Sequence, residues 1–247
     1  MRPVRNVKTI IEYDGTDFFG FQKQPSVRTV QGELESTLEG LFGERVQVIG
    51  AGRTDAGVHA TGQVISFRVP GPIPTDNICT VLNDRLPCDV RARRCEDVPE
   101  SFHARRSAKA RTYVYTVLNR AEPSAILGRY TWHITEPLDV ESIAAAAAQF
   151  VGTKDFASFG MAERAGGSTV RHIVGFTIHR QREAVFFKIK ANAFLRGMAR
   201  AIVGTVVEVG QGRRRAAEIA EILAARDRQA GGVTAPPQGL CLTKVEY

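Results

Sequence analysis

Hydrophobic and polar positions alternate along this chain with two periods, and the period switches several times. Residues 7–13 read as a strand and end in the turn pair Asp14-Gly15. From residue 30 to 42 the spacing becomes helical, with Leu34, Leu38 and Leu41 as the buried stripe, Thr29 as N-cap and Gly43 as C-cap. Residues 46–49 (Val-Gln-Val-Ile) read as a strand running into a glycine-rich loop, and residues 63–69 alternate as a strand leaving it. A second helix is expected to follow Pro70-Gly71-Pro72, to start near Thr75 and to stop before Pro87.

The segment 101–110 is strongly basic, and a new strand starts at residues 112–118, which places a lobe boundary between 107 and 108. Alanine-rich residues 139–150 predict a helix with Asp139 as its cap and Gly152 as its end. Residues 170–191 predict a hairpin with Phe176, Ile178, Val185, Phe187 and Ile189 on apolar faces and Arg180-Gln181-Arg182-Glu183 at the turn. Helices are expected from Ala193 and over 215–226, and a closing strand over 240–245. The reading is α+β: two lobes, 1–107 and 108–247, each with strands in antiparallel pairing and two helices, without a clear internal repeat.

At 247 residues, 43% hydrophobic and 24% charged, the composition is that of a folded protein. The formal charge of +7 fits a polyanionic partner, although charge alone is a weak pointer. No apolar run approaches the roughly 20 residues that span a bilayer, and the start Met1-Arg2-Pro3-Val4-Arg5-Asn6 lacks a secretory apolar stretch, so the expectation is cytoplasmic with no membrane partner. Cys79, Cys88, Cys95 and Cys241 form no Cys-x-x-Cys pair, which points to reduced, packing thiols and to no zinc site or disulfide framework.

Candidate chemistry concentrates in the loop Gly52-Arg53-Thr54-Asp55-Ala56-Gly57-Val58-His59-Ala60. Glycines 50, 52 and 57 are expected to bend the backbone at positive φ or to bring it close to a ligand. A carboxylate in a loop between strands is a site signature, while Asp beside Gly also commonly caps a turn; the residues alone leave both open. A dinucleotide-binding fingerprint fails, because its third glycine position is Asp55, no helix follows, and no acidic residue stands about 20 positions on. A zinc deaminase lacks its His-x-Glu and Pro-Cys-x-x-Cys elements.

The loop strongly resembles the signature of the tRNA pseudouridine synthase A family, whose catalytic aspartate follows Gly-Arg-Thr. Further segments match that family in order: Ile11-Glu12-Tyr13-Asp14-Gly15, Phe102-His103-Ala104-Arg105, Ala110-Arg111-Thr112-Tyr113, Asp155-Phe156-Ala157-Ser158-Phe159, Lys190-Ala191-Asn192-Ala193-Phe194-Leu195 and Met198-Ala199-Arg200. The resemblance spans nearly the whole chain. It departs at Phe21, where the family often has tryptophan, and at Ala201, where asparagine usually follows. It implies an α+β pseudouridine synthase fold: two lobes with antiparallel or mixed sheet flanked by helices, and an active site in the cleft between them. It further implies an isomerase acting on uridines 38, 39 and/or 40 of the tRNA anticodon arm, a homodimer, and chemistry without metal or cofactor.

That reaction breaks the bond from uracil nitrogen to ribose C1′, turns the base, and joins C5 to the same carbon. A carboxylate serves it by attacking C1′, or by stabilising positive charge there and removing a proton from C2′. By resemblance Asp55 takes this role, Arg200 pairs with it, Tyr113 contacts the flipped base and assists proton removal at C5, and Arg53 helps flip the base or holds a phosphate. Arg196 and Arg200, one helical turn apart, are expected to share a face. The basic strip of Phe102, His103, Ala104, Arg105, Arg106, Lys109 and Arg111 is expected to face RNA, as is Arg164 in the loop 160–168. His59 and His103 read as hydrogen-bonded or RNA-contacting residues and not as metal ligands. A non-catalytic tRNA-binding module is the alternative from another class, since a basic patch explains binding without reaction.

Overall fold

The computed structural model describes residues 4–71, 73–164 and 166–247. Met1, Arg2 and Pro3 of the start, Pro72 of the Pro-Gly-Pro stretch and Ala165 of the 160–168 loop lie outside the described residues. The chain divides into two compact units: one running up to Lys109 and joined by Leu242–Tyr247, the other Ala110–Cys241.

In the first unit, β1 (Val4–Tyr13) buries Val7 and Ile11 completely and pairs antiparallel on one side with β3 (His59–Pro70) and on the other with β4 (Val90–Val98). Helix α1 (Val30–Phe42) follows its sequence signals closely. Thr29 Oγ1 accepts the Gly32 N–H, Gly43 takes the left-handed conformation and donates to Glu39 O, and Val30, Leu34 and Leu38 are buried. Each such side chain is worth roughly 1.5–3 kcal/mol. Helix α2 (Thr75–Asn83) packs on β4.

Three features differ from the pattern-based expectation. Residues 46–48 are not strand; only Ile49–Gly50 (β2) pairs with β3. The reason is visible at Val48, whose carbonyl accepts from Gln31 Nε2 and whose N–H donates to Glu35 Oε1. Side chains of α1 thus satisfy the groups a strand neighbour would have taken. Strand β3 also does not alternate: Gln63 and Ser66 are buried with the apolar residues, so it is covered on both faces. Strand β4, rich in Arg, Asp and Glu, shows no apolar period because it lies at the edge of this unit's sheet.

Strand β10 (Leu240–Glu246) returns from Leu242 onward to the first unit, beside β3, so a single cut between 107 and 108 misses this strand. The backbones meet at Gly62, where a Cβ would lie 2.1 Å from Thr243 O. Lys109 N–H donates to Glu246 O at 2.8 Å, and Tyr247 OH to Ala104 O at 2.8 Å.

The second unit holds β5 (Ala110–Asn119), β6 (Trp132–Ile134), α3 (Val140–Ala148), β7 (Gly152–Asp155), β8 (Val170–Gln181), β9 (Ala184–Ala191), α4 (Met198–Gly210) and α5 (Glu218–Ala225). Its strands run β5-β9-β8-β7 in antiparallel pairs, and β6 lies parallel to β5, which makes the sheet mixed. Asp139 caps α3 by accepting from the N–H groups of Glu141 and Ser142, as its position predicts. Gly152 does not close that helix; with φ +99 it opens β7. Among the described residues this unit holds three α-helices, at the three places the pattern marks, one more than a count of two per lobe.

Helix α4 starts at Met198, five residues later than the apolar pattern suggests. Asn192 Oδ1 accepts the N–H groups of Ala193 and His172, and Gly197 is left-handed, so residues 193–197 are held as a loop. Arg196 is part of that loop and exchanges backbone hydrogen bonds with Met161. It therefore does not share a helical face with Arg200. Within α4 nearly every side chain is buried, and the two charged residues, Arg200 and Glu208, are the partly buried exceptions.

Candidate active site

Asp55 lies in the turn between β2 and β3, closed by a Val58 N–H to Asp55 O bond of 3.2 Å. Alternate residues before it are anchored. Gln63, fully buried, donates from Nε2 to Gly52 O at 2.8 Å and accepts the Gly52 N–H on Oε1 at 3.3 Å. Thr54 is buried, its Oγ1 sharing a 2.8 Å hydrogen bond with Tyr13 OH and its carbonyl accepting from Phe21 N–H at 3.1 Å. With Gly52 and Thr54 fixed, Arg53 is exposed and Asp55 half-exposed. A rigid backbone thus presents a cation and a carboxylate two residues apart, the arrangement a preorganised site needs.

Of the three loop glycines only Gly57, at φ +76, uses the left-handed region. Gly50 is required for space instead: a Cβ there would meet the Phe21 ring at 2.4 Å. Phe21 is itself buried and packs 6.4 Å from Tyr13, so that departure from the family pattern is a matter of packing behind the loop. Ala201 is buried in α4 in the same way. His59 Nδ1 accepts the Gly15 N–H at 2.9 Å, a structural role.

The basic strip divides by burial. Arg105, Arg106 and Lys109 are exposed. Their turn is organised by His103, whose Nδ1 accepts the N–H groups of Arg105 and Arg106 at 3.2 and 3.3 Å. Phe102 packs on Tyr247 at 4.9 Å, with the Lys8 ammonium 5.8 Å from its ring centre. Two further members of the strip are buried. Ala104 is fully buried between Ser66 Oγ and Tyr247 OH, and Arg111 is 8% exposed with Nη1 donating to Asn192 O at 2.8 Å. Both are internal groups of their units. Arg164 is exposed.

Tyr113 belongs to the second unit, 7% exposed on β5, its ring edge-on to Phe194 at 4.9 Å. Arg200 stands on α4, and its Nε donates to Ala235 O at 2.7 Å. Pattern reading missed the residues that hold these groups: Tyr13, Gln63 and Ala235. Two signals were visible: Tyr13 inside the matching segment 11–15, and a glutamine heading an apolar strand.

Among the described residues no helix is long and apolar enough to cross a membrane, and no group of three or more His, Cys, Asp or Glu is arranged to hold a metal. The four cysteines form no disulfide with one another; burial pushes the thiols of Cys79 and Cys95 up.

A mixed α+β architecture with an anchored Arg-Thr-Asp loop defines the class of protein, and sequence comparison narrows it. Residues 9–105 and 146–247 match the tRNA pseudouridine synthase family. The tRNA pseudouridine synthase A of Acetivibrio thermocellus is 45% identical over 244 residues, 99% of this chain and all of that protein. Its namesake in Halalkalibacterium halodurans is 47% identical over 93% of this chain and 88% of its own length. Among solved structures, an archaeal box H/ACA sRNP Nop10–Cbf5 complex aligns over 81% of this chain and 44% of that chain, with 11% identity and a TM-score of 0.35. The chain belongs to the tRNA pseudouridine synthase family, a family of isomerases.

Proposed function

We propose that this protein converts uridine to pseudouridine at positions 38, 39 and/or 40 of the tRNA anticodon arm. The observation that carries the reading is the anchored loop at Gly52 and Thr54, which presents Asp55 inside the family match over residues 9–105 and 146–247. Asp55 acts on ribose C1′ as nucleophile or as stabiliser and base; Arg200 supports its ionised form; Tyr113 stacks on the flipped base and helps remove the C5 proton; Arg53 supports flipping. Arg105, Arg106, Lys109 and Arg164 bind phosphates. The protein works in the cytoplasm as a homodimer.

The test is tritium release from tRNA labelled at uridine C5, with tRNAs carrying uridine at only one of positions 38, 39 and 40. Release from these substrates supports the reading. Binding without release would leave a tRNA-binding module.

A further inference from the structure

Arg200 is gripped twice by one residue. Its Nε donates to Ala235 O at 2.7 Å, and its own carbonyl accepts the Ala235 N–H at 3.1 Å. The bond to Nε fixes the plane of the guanidinium, and with it the direction of both Nη groups. Where Arg200 points therefore depends on what holds the backbone at Ala235.

The preceding backbone is held by the same helix. Gly232 N–H donates to Thr205 Oγ1 at 3.0 Å and Val233 N–H to Glu208 Oε1 at 3.1 Å, while Gly204 lies so close that a Cβ there would sit 1.8 Å from Val233 O. On the far side the next residue, Pro236, is held by β5. Tyr115, fully buried, donates from its hydroxyl to Pro236 O at 2.8 Å, and its ring packs against Gly239, where a Cβ would meet it at 2.5 Å. The Tyr115 hydroxyl also lies within the field of Arg200: burial pushes its pKa up and the Arg200 charge opposes that shift. Ala235 is thus clamped between α4 and a tyrosine hydroxyl two positions along β5 from Tyr113.

We propose that Tyr115 is a positioning residue for Arg200: its hydroxyl fixes the Pro236 carbonyl, which fixes Ala235, which aims the guanidinium. This rests on the proposed role of Arg200 in pseudouridine formation. Tyr115 touches no reacting atom; it acts through two carbonyls.

The first test is Tyr115→Phe, which keeps the ring against Gly239 and removes only the donor. Misplacing a positioned group by ~1 Å can cost about a hundredfold in rate, and a partial loosening here should lower kcat about five- to fiftyfold with KM for tRNA within about twofold. In an Arg200→Lys background, which has no Nε–H to aim, the same change should cost less than about twofold, because the two lesions act on one device. Wild-type kcat in Tyr115→Phe, or its full penalty retained beside Arg200→Lys, overturns the inference. A second readout needs no turnover. Exchange of the Arg200 Nε–H with solvent, followed by nitrogen-15 NMR, should quicken at least about fivefold in Tyr115→Phe as the Ala235 bond opens more often. An unchanged exchange rate overturns the inference whatever the activity, whereas a wild-type protein without tritium release defeats only the functional reading.

Discussion

Tyr13 and Thr54 share a buried hydrogen bond of 2.8 Å across 41 residues of sequence, and it ties the end of β1 to the residue just before Asp55. Either oxygen can donate, and both side chains are almost free of solvent. Tyr13→Phe should therefore cost about 1 kcal/mol of stability, the usual net worth of such a bond, yet lower kcat about tenfold through a looser loop. Chemical denaturation and tritium release on one preparation check the two effects together.

Asp55→Asn keeps the shape of the loop and removes its charge. Turnover should fall by about 10⁴-fold or more, while tRNA affinity stays within several-fold of wild type because arginine and lysine contacts to phosphate dominate binding. A folded, tRNA-binding variant that still releases tritium near the wild-type rate would remove Asp55 from the chemistry.

Tyr113→Phe preserves the ring that meets Phe194 edge-on at 4.9 Å and deletes only the hydroxyl. Binding should persist and single-turnover product formation should drop about 10²-fold, the scale of general-base assistance. Full activity in this variant would reduce Tyr113 to a stacking platform.

Arg105 and Arg106 extend from a turn that His103 organises, and both are exposed. Changing them together to alanine should weaken tRNA binding and reduce the salt slope of log affinity by roughly 2, about one per lost phosphate contact. A slope measured between low and moderate salt that matches wild type would show that neither arginine meets a phosphate.

Asp155 gives a pH signature. Its carboxyl is held below the usual aspartate range, chiefly by the Thr169 hydroxyl on Oδ1, then by the Ala157 N–H and the Arg226 charge. A depressed folded pKa means stability that is complete above the unfolded value of about 3.9 and lost as pH falls through the folded value. Asp155→Asn should lower the melting temperature at pH 7 by about 2–4 °C and shrink the difference from wild type below pH 4. Parallel melting curves at all pH values would rule the carboxylate out as a source of acid sensitivity.

Helix α1 was legible because every signal is local: a cap at Thr29, a stripe at 34 and 38, a glycine at 43. The start of α4 was not, since the apolar run begins at Ala193 while Asn192 and Gly197 hold residues 193–197 out of the helix. The site divides the same way. Arg53, Asp55, Tyr113 and Arg200 stood out through their motifs, whereas Gln63 and Ala235 act through backbone atoms that no motif records. The burial of Arg111 and its bond to Asn192 O were not legible either, because a charge in a basic run carries no sign of burial.

Strand β10 sets an order on the making of this protein. The first unit receives its strand beside β3 only after the whole second unit has been synthesised, and the bond from Tyr247 to Ala104 closes a span of 143 residues. Such a long-range closure is slow and leaves an edge of β3 waiting for its partner. On the ribosome the Asp55 loop can be threaded early, but the sheet that carries it is completed last, so a nascent chain stalled in the second unit carries the motif without its finished support.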